Sequence, residues 1–450
     1  MQILDTDTAP SATGLPNAAD VRDILDRHLL ADGYPMVLDM EASGGATLRD
    51  ALTGTDYLDL FTFYASNPLG MNHPGLAGDG ADAVAFRERL MDAALNKVAN
   101  SDVYTPHFAR FVQTFERVGI PRDLPHAFFV SGGALAVENA LKAAFDWKVR
   151  KNLAAGKGEK GTKVLHFKEA FHGRSGYTMS LTNTDPNKVM YFPKFDWPRI
   201  DNPKIRGGNV EAREAEAVRQ AEQAFADHPD DIASIIIEPI QGEGGDNHFR
   251  PAFFRELRRL ADENDALLIF DEVQTGVGLT GTFWAYQGIG VVPDIIAFGK
   301  KTQVCGILAS ARLDEVDDNV FQKSSRINST WGGNLVDMVR FDRILEVIEA
   351  EDLVGNAFRQ SEHLMTGLRQ LEDRYEGVAD VRGRGLMCAF DLPSTEMRNG
   401  VVQAAYDEGA MMLGCGPRTI RFRPALTTTA ADLDTGLGIL DTALARTLEA

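Results

Sequence analysis

Cysteine is scarce. Cys305, Cys388 and Cys415 are the only three in 450 residues, and no two stand as CxxC. So sparse and odd a count argues against a disulfide framework and points to a reducing, cytoplasmic setting. Long apolar runs are missing too: no stretch approaches the roughly 20 apolar residues that span a bilayer. The opening MQILDTDTAP has neither a basic nor an apolar region, so it reads as no signal peptide. Positive charge is in deficit, with 46 Lys plus Arg against 65 Asp plus Glu and a formal net charge of −19. Such a surface repels phosphate backbones and anionic lipid, which excludes nucleic-acid and membrane binding as the main task. Fixed-period repeats and low-complexity linkers are also absent.

With 44% hydrophobic residues, the chain can bury a large core, and its length suggests two or three domains. The first 20 residues, rich in Thr, Ala, Pro and Asp, read as a loose arm. The middle carries short, continuous apolar runs: Val164–Phe167, Ile232–Ile237, Leu267–Phe270 and Ile295–Phe298. Runs of this kind suit strands buried on both faces of a parallel sheet. Helical patterns such as 210–226 and 251–264 lie between them, so the alternation predicts an α/β layered domain. The last third reads as a smaller α+β domain. It has a helix near 337–350, a strand over VRGRGLMCAF (381–390), another over Thr419–Phe422, and a final helix from Ala430. The expected division is 1–75 as arm and part of the small domain, 76–334 as the large domain and 335–450 as the small domain.

Four segments carry chemistry. LLIFDEVQ is a buried strand ending in Asp271, and ligands bind beyond the carboxyl ends of parallel strands. A carboxylate there can keep a pyridinium nitrogen protonated, although a lone acid in that position more often caps a helix. PDIIAFGKKT ends another strand at Gly299 and presents Lys300 and Lys301. A lysine in apolar surroundings loses its proton easily and attacks carbonyls, whereas adjacent lysines after a strand are usually surface charges. SGGALAVENALKAAFDWK opens a helix with Gly132 and Gly133, where backbone N–H groups and the helix dipole favour phosphate; a glycine pair alone is more often a tight turn. FHGRSG follows the Val164–Phe167 strand and places Phe171 where an aromatic can stack on a flat ring, against the commoner alternative of a core Phe.

Taken together, SGGALAVENALK, AFHGR, IIIEPIQGEGG, FDEVQTGVGLTG, PDIIAFGKK and STWGGN resemble the class III (ω-)aminotransferases, in that family's order over residues 130–334. The resemblance implies the type I pyridoxal-phosphate (PLP) fold, a large mainly parallel sheet domain beside a smaller α+β domain. It also implies a homodimer with shared active sites. By the same resemblance Lys300 is the imine-forming lysine and Asp271 the partner of the ring nitrogen. Val273 lies under the ring, Gln274 contacts its hydroxyl, and Phe171 stacks on it. Gly133 and Ala134 form the phosphate loop, and Thr330 is a phosphate contact from the other subunit. The family often has Arg where this chain has Leu279.

The family also pairs a Glu with an Arg to handle two unlike substrates, matched here by Glu243 and Arg421. Glu243 would neutralise Arg421 while the amine donor is bound, then swing away so that Arg421 grips the α-carboxylate of 2-oxoglutarate. Arg423 is the competing choice, expected instead to be a surface or structural residue. FHGRSGYT, GLTGTFWAYQ, FGKKTQVCG and INSTWGGN resemble the branch acting on the ε-amine of L-lysine. Arg174 would then meet lysine's distal carboxylate, with Asn328 an auxiliary polar contact and Glu238 an orienting group. A surface ion pair is the plainer reading of Arg174. Ornithine, acetylornithine, 4-aminobutyrate or diaminobutyrate donors are the near alternatives, followed by a racemase or mutase of the same fold. A nucleotide-binding α/β protein is remote, since no GxGxxG follows the first strand. No metal site is expected.

Overall fold

In the computed structural model, residues 14–448 are described; most of the expected N-terminal arm, residues 1–13, lies outside them. After a short helix, Val21–Asp26, come β1 (Leu38–Gly44), β2 (Thr47–Asp50) and β3 (Asp56–Asp59), an antiparallel set. Its fourth strand, Ala410–Met411, arrives from the far end of the chain and pairs with β3 in parallel.

The large sheet contains β4 (His126–Val130), β5 (Lys163–Phe167), β6 (Arg199–Ile200), β7 (Ile232–Ile237), β8 (Leu267–Asp271), β9 (Ile295–Phe298) and β10 (Cys305–Ala309). Their order is β4-β10-β9-β8-β7-β5-β6, and β10 alone runs antiparallel to its neighbours. Every residue of β7, β8 and β9 is buried. Alternation then divides each strand between two cores. Leu267 and Ile269 pack with Ala140, Leu141 and Trp147 of the helix Gly133–Ala154. Leu268 and Phe270 pack on the other face with Phe254 and Leu257 of the helix Pro251–Glu263. Each such side chain contributes about 1.5–3 kcal/mol by leaving water. The apolar runs are continuous because both faces are covered.

Two more strands, β11 (Ala379–Arg384) and β12 (Met387–Asp391), occupy the stretch expected as one strand. Gly385, at φ +60°, turns the chain there. A Cβ on Gly385 would sit 2.3 Å from the Leu279 carbonyl oxygen, so the hairpin presses its turn against that segment. Leu279 itself is buried in the core, and its carbonyl accepts the Leu386 N–H at 2.8 Å. After β13 (Ala410–Met411), β14 (Leu413–Cys415) and β15 (Thr419–Phe422) complete the antiparallel sheet β11-β12-β15-β14. Ile420 and Phe422 face its own core with Leu364 and Leu440. The period of two places Arg421, and Arg423 just beyond, on the opposite side, toward the large sheet. All three cysteines are free and buried. No helix among the described residues is long and apolar enough to cross a membrane.

Candidate active site

Parallel strands share a direction, so their carboxyl ends gather at one edge, and a cavity of about 520 Å³ opens there. Gly133 and Ala134 line it from beyond β4, and Phe171, His172 and Arg174 from beyond β5. Glu238 and Glu243 follow β7, while Asp271, Val273 and Gln274 sit at the end of β8, and Lys300 follows β9.

Lys300 and its neighbour part company. Lys300 stands at φ +54° after the extended Gly299 and lines the cavity. Burial, then the positive charge of Arg421, lowers its amine below the ordinary lysine range. Lys301 is buried elsewhere, its Nζ donating to the carbonyls of Gln274 at 2.7 Å and Ala65 at 3.3 Å. The geometry therefore makes Lys301 a brace and leaves Lys300 as the lysine amine that faces the cavity.

Asp271 caps no helix. Its Oδ1 accepts the Val273 N–H at 3.1 Å, and its Oδ2 lies 2.8 Å from Nδ1 of the buried His172. Glu238 accepts backbone N–H groups from Phe171 at 2.9 Å and Gly242 at 3.0 Å, so it orients two loops of the rim. Burial pushes its carboxyl up to about 7.

Gly132, at φ +118°, brings the chain off β4 into the helix Gly133–Ala154. A Cβ on Gly133 would meet Val273 Cγ1 at 3.1 Å, and one on Gly173 would meet Ala134 Cβ at 2.5 Å. Bare backbone thus lies beside a long helix's N-terminus, the arrangement that receives phosphate.

Across the cavity Glu243 bridges two cations. Its Oε2 accepts from Arg421 Nη2 at 2.8 Å and its Oε1 from Lys188 Nζ at 2.6 Å. Burial would raise the Glu243 carboxyl, but Arg421 and Lys188 outweigh it and hold the group below its usual value. Arg421 has only 2% of its side chain exposed, and its Nε and Nη1 are buried without a partner. Arg423 is no surface residue. It is fully buried against Asp246 and also donates to Gln274 Oε1 at 2.8 Å.

Arg174 is exposed at the cavity wall, and its Nε donates to the Lys188 carbonyl at 3.2 Å. Asn328 and Thr330 are exposed and do not line the cavity of this single chain. The Thr330 carbonyl accepts from Ser101 Oγ at 3.0 Å.

Sequence reasoning missed Tyr64, Lys188 and the pairing role of His172. Tyr64 lines the cavity from Thr62–Ala65, a turn in which all four residues have positive φ. The Asp59 carboxylate, accepting from Phe61 and Thr62 N–H, holds that turn with Lys301. No local signal announces a left-handed turn without glycine. The histidine could have been noticed in FHGR.

The aminotransferase class-III family profile matches residues 30–444. The L-lysine-epsilon aminotransferase of Mycobacterium tuberculosis is 57% identical over 438 residues, covering 96% of this chain and 97% of that protein. The protein of the same name from Streptomyces clavuligerus is 52% identical over 440 residues, covering 96% and 95%. Among solved structures, lysine aminotransferase from M. tuberculosis in the internal aldimine form superposes with a TM-score of 0.94 at 56% identity. It covers 96% of this chain and all of that one.

Pyridoxal phosphate suits the cavity on the structure's own terms: a desolvated amine, a carboxylate fixed by imidazole, and glycine-cleared backbone at a helix start surround one space. It is the cofactor of this chain. Fold, cavity and profile agree, and the chain belongs to the class-III aminotransferases.

Proposed function

We propose that the chain transfers the ε-amino group of L-lysine to 2-oxoglutarate, giving 2-aminoadipate 6-semialdehyde and L-glutamate. The semialdehyde then cyclises to a piperideine-6-carboxylate. The observation that carries this reading is the half-satisfied guanidinium of Arg421, with one nitrogen on Glu243 and two buried without partners. A buried guanidinium needs a carboxylate. When the donor's reacting amine has no adjacent carboxylate, Glu243 fills that role. When the acceptor brings an α-carboxylate, Glu243 releases Nη2, and Arg421 can take the carboxylate through Nη2 and one of its two unpartnered nitrogens as a bidentate pair. Arg174 stands at the cavity wall for the donor's distal carboxylate, with Asn328 a further polar contact.

The names of the relatives at 52–57% identity support lysine as donor. The mouse mitochondrial 4-aminobutyrate aminotransferase, 31% identical over 425 residues and covering 88% of this chain and 82% of its own, supplies the runner-up.

Pyridoxal phosphate, when bound, supplies an aldehyde for the amine and a ring that takes up the electron pair as the substrate C–H bond breaks. Lys300 would tether it, then take the proton from the substrate's reacting carbon as base and release it as acid. Asp271 would hold positive charge on the ring nitrogen. Phe171 and Val273 would enclose the ring, Gln274 would meet its hydroxyl, and Gly133 and Ala134 would receive the phosphate. Thr330 contributes from a second copy in a homodimer, a reading supported by its place outside the single chain's cavity. The pairing of β13 with β3 supports a small domain built from 1–75 and 335–450 around a large domain of 76–334. Cytoplasmic lysine breakdown fits three free, buried cysteines.

Turnover of a panel of amines with 2-oxoglutarate tests the reading, and lysine should be fastest. Preference for ornithine or 4-aminobutyrate would overturn the donor. Absence of glutamate with every amine would point to the racemase or mutase reading.

A further inference from the structure

The Glu243 carboxylate does not rest on Arg421 alone. We propose that Lys188 is its second anchor, which keeps hold of Glu243 when Arg421 turns to the acceptor's carboxylate. This rests on the exchange at Arg421 described above and adds the group that makes it reversible.

The geometry divides the carboxylate between its cations, Oε2 on Arg421 and Oε1 on Lys188 at 2.6 Å. The two side chains of the Lys188–Glu243 pair are 27% and 29% exposed, so they are screened less than a surface pair. Lys188 is also well placed. It ends a short 3-10 turn, Pro186–Lys188, whose start is fixed by Asp185 accepting the Asn187 N–H at 2.9 Å. Its carbonyl accepts from Arg174, and its Nζ lies 5.5 Å from the centre of the Phe171 ring.

If Glu243 left Arg421 with nowhere to go, a largely enclosed carboxylate would lose its only cation, and acceptor binding would bear that cost. With Lys188 present, the carboxylate pivots about Oε1 and releases only Oε2. An ammonium on a flexible stem tolerates such a pivot better than a planar fork would. Lys188 is thus a positioning residue that acts through Glu243 and sets how readily the site accepts the second substrate.

The test follows each half-reaction separately by absorbance on the cofactor-loaded enzyme, lysine with the resting form and 2-oxoglutarate with the aminated form. K188M should raise the 2-oxoglutarate concentration for half-saturation roughly tenfold, in keeping with loss of one charged hydrogen bond. The lysine half-reaction should change less. K188R should recover most of the loss, because it keeps a cation beside Glu243. In an E243A background, K188M should add less than about a twofold effect, since nothing remains to anchor.

A larger loss in the lysine half-reaction would mean that Lys188 grips the donor itself and would overturn the proposal. An undiminished K188M effect in E243A would do the same. E243A alone reads the underlying exchange: it should weaken the lysine step more than the glutamate-forming step. Equal loss in both would bring down that exchange, and the anchor with it.

Discussion

His172 Nδ1 lies 2.8 Å from Asp271 Oδ2, with the imidazole side chain at 0% exposure and the carboxylate at 5%. Two groups 99 positions apart are joined at the carboxyl ends of β5 and β8, and His172 Nε2 is buried without another partner. The imidazole is therefore committed to the acid and fixes the direction in which Asp271 faces the cavity. Asp271→Asn should cost about 10²–10³-fold in kcat, as for loss of one preorganised charge contact. His172→Phe should cost roughly tenfold or more, the worth of one charged hydrogen bond. Half-reaction rates for the two variants check this. A His172→Phe enzyme as fast as the parent would show that Asp271 needs no help.

Gly173 stands at φ +116°, and a Cβ there would meet Ala134 Cβ at 2.5 Å, inside the cradle read as the phosphate loop. Gly173→Ala should weaken cofactor retention by about tenfold or more, because a left-handed position costs about 1–3 kcal/mol for a residue with a side chain. Equilibrium dialysis against free cofactor measures it. Unchanged retention would place the phosphate elsewhere.

Arg423 and Asp246 form an ion pair with side chains 1% and 0% exposed. Asp246→Ala leaves the guanidinium buried with Gln274 Oε1 as its remaining side-chain acceptor. The expected destabilisation is about 3–5 kcal/mol, read as a lower denaturant midpoint. A midpoint within error of the parent would contradict the assignment of Arg423 as structural.

Glu238 gives a pH signature. Burial raises its carboxyl from 4.5 to about 7 in the fold. Between those values the folded chain holds a proton that the unfolded chain has lost, so this group's stabilisation is full below 4.5 and fades as pH rises through 7. Glu238→Gln cannot ionise. The stability of the parent relative to this variant should fall from pH 4.5 to 7, and a flat difference would show that burial does not raise the Glu238 carboxyl.

Much of this site was readable because parallel-strand chemistry is local. An apolar run ending in Asp271 or Gly299–Lys300 places its polar residue at the ligand edge with no knowledge of neighbours. What could not be read depends on distant contacts. The stretch 381–390, expected as one strand, turns at Gly385 because the hairpin packs on Leu279. The Tyr64 turn takes its left-handed form from Asp59, Lys301 and the Arg423 carbonyl, which accepts from Thr62 Oγ1 at 2.6 Å. Lys188, in an unremarkable TDPNK stretch, meets Glu243 55 residues later in the chain. Among the expected residues, Asn328 and Thr330 stay outside the cavity of one chain.

The central claim concerns one amine, and adjacent lysines make it testable. Borohydride reduction of the cofactor-loaded protein, followed by peptide fragmentation that separates position 300 from 301, should place the reduced adduct on Lys300, and Lys300→Ala should abolish it while Lys301 is intact. An adduct on Lys301 or any other side chain, or none in the parent protein, would contradict the account.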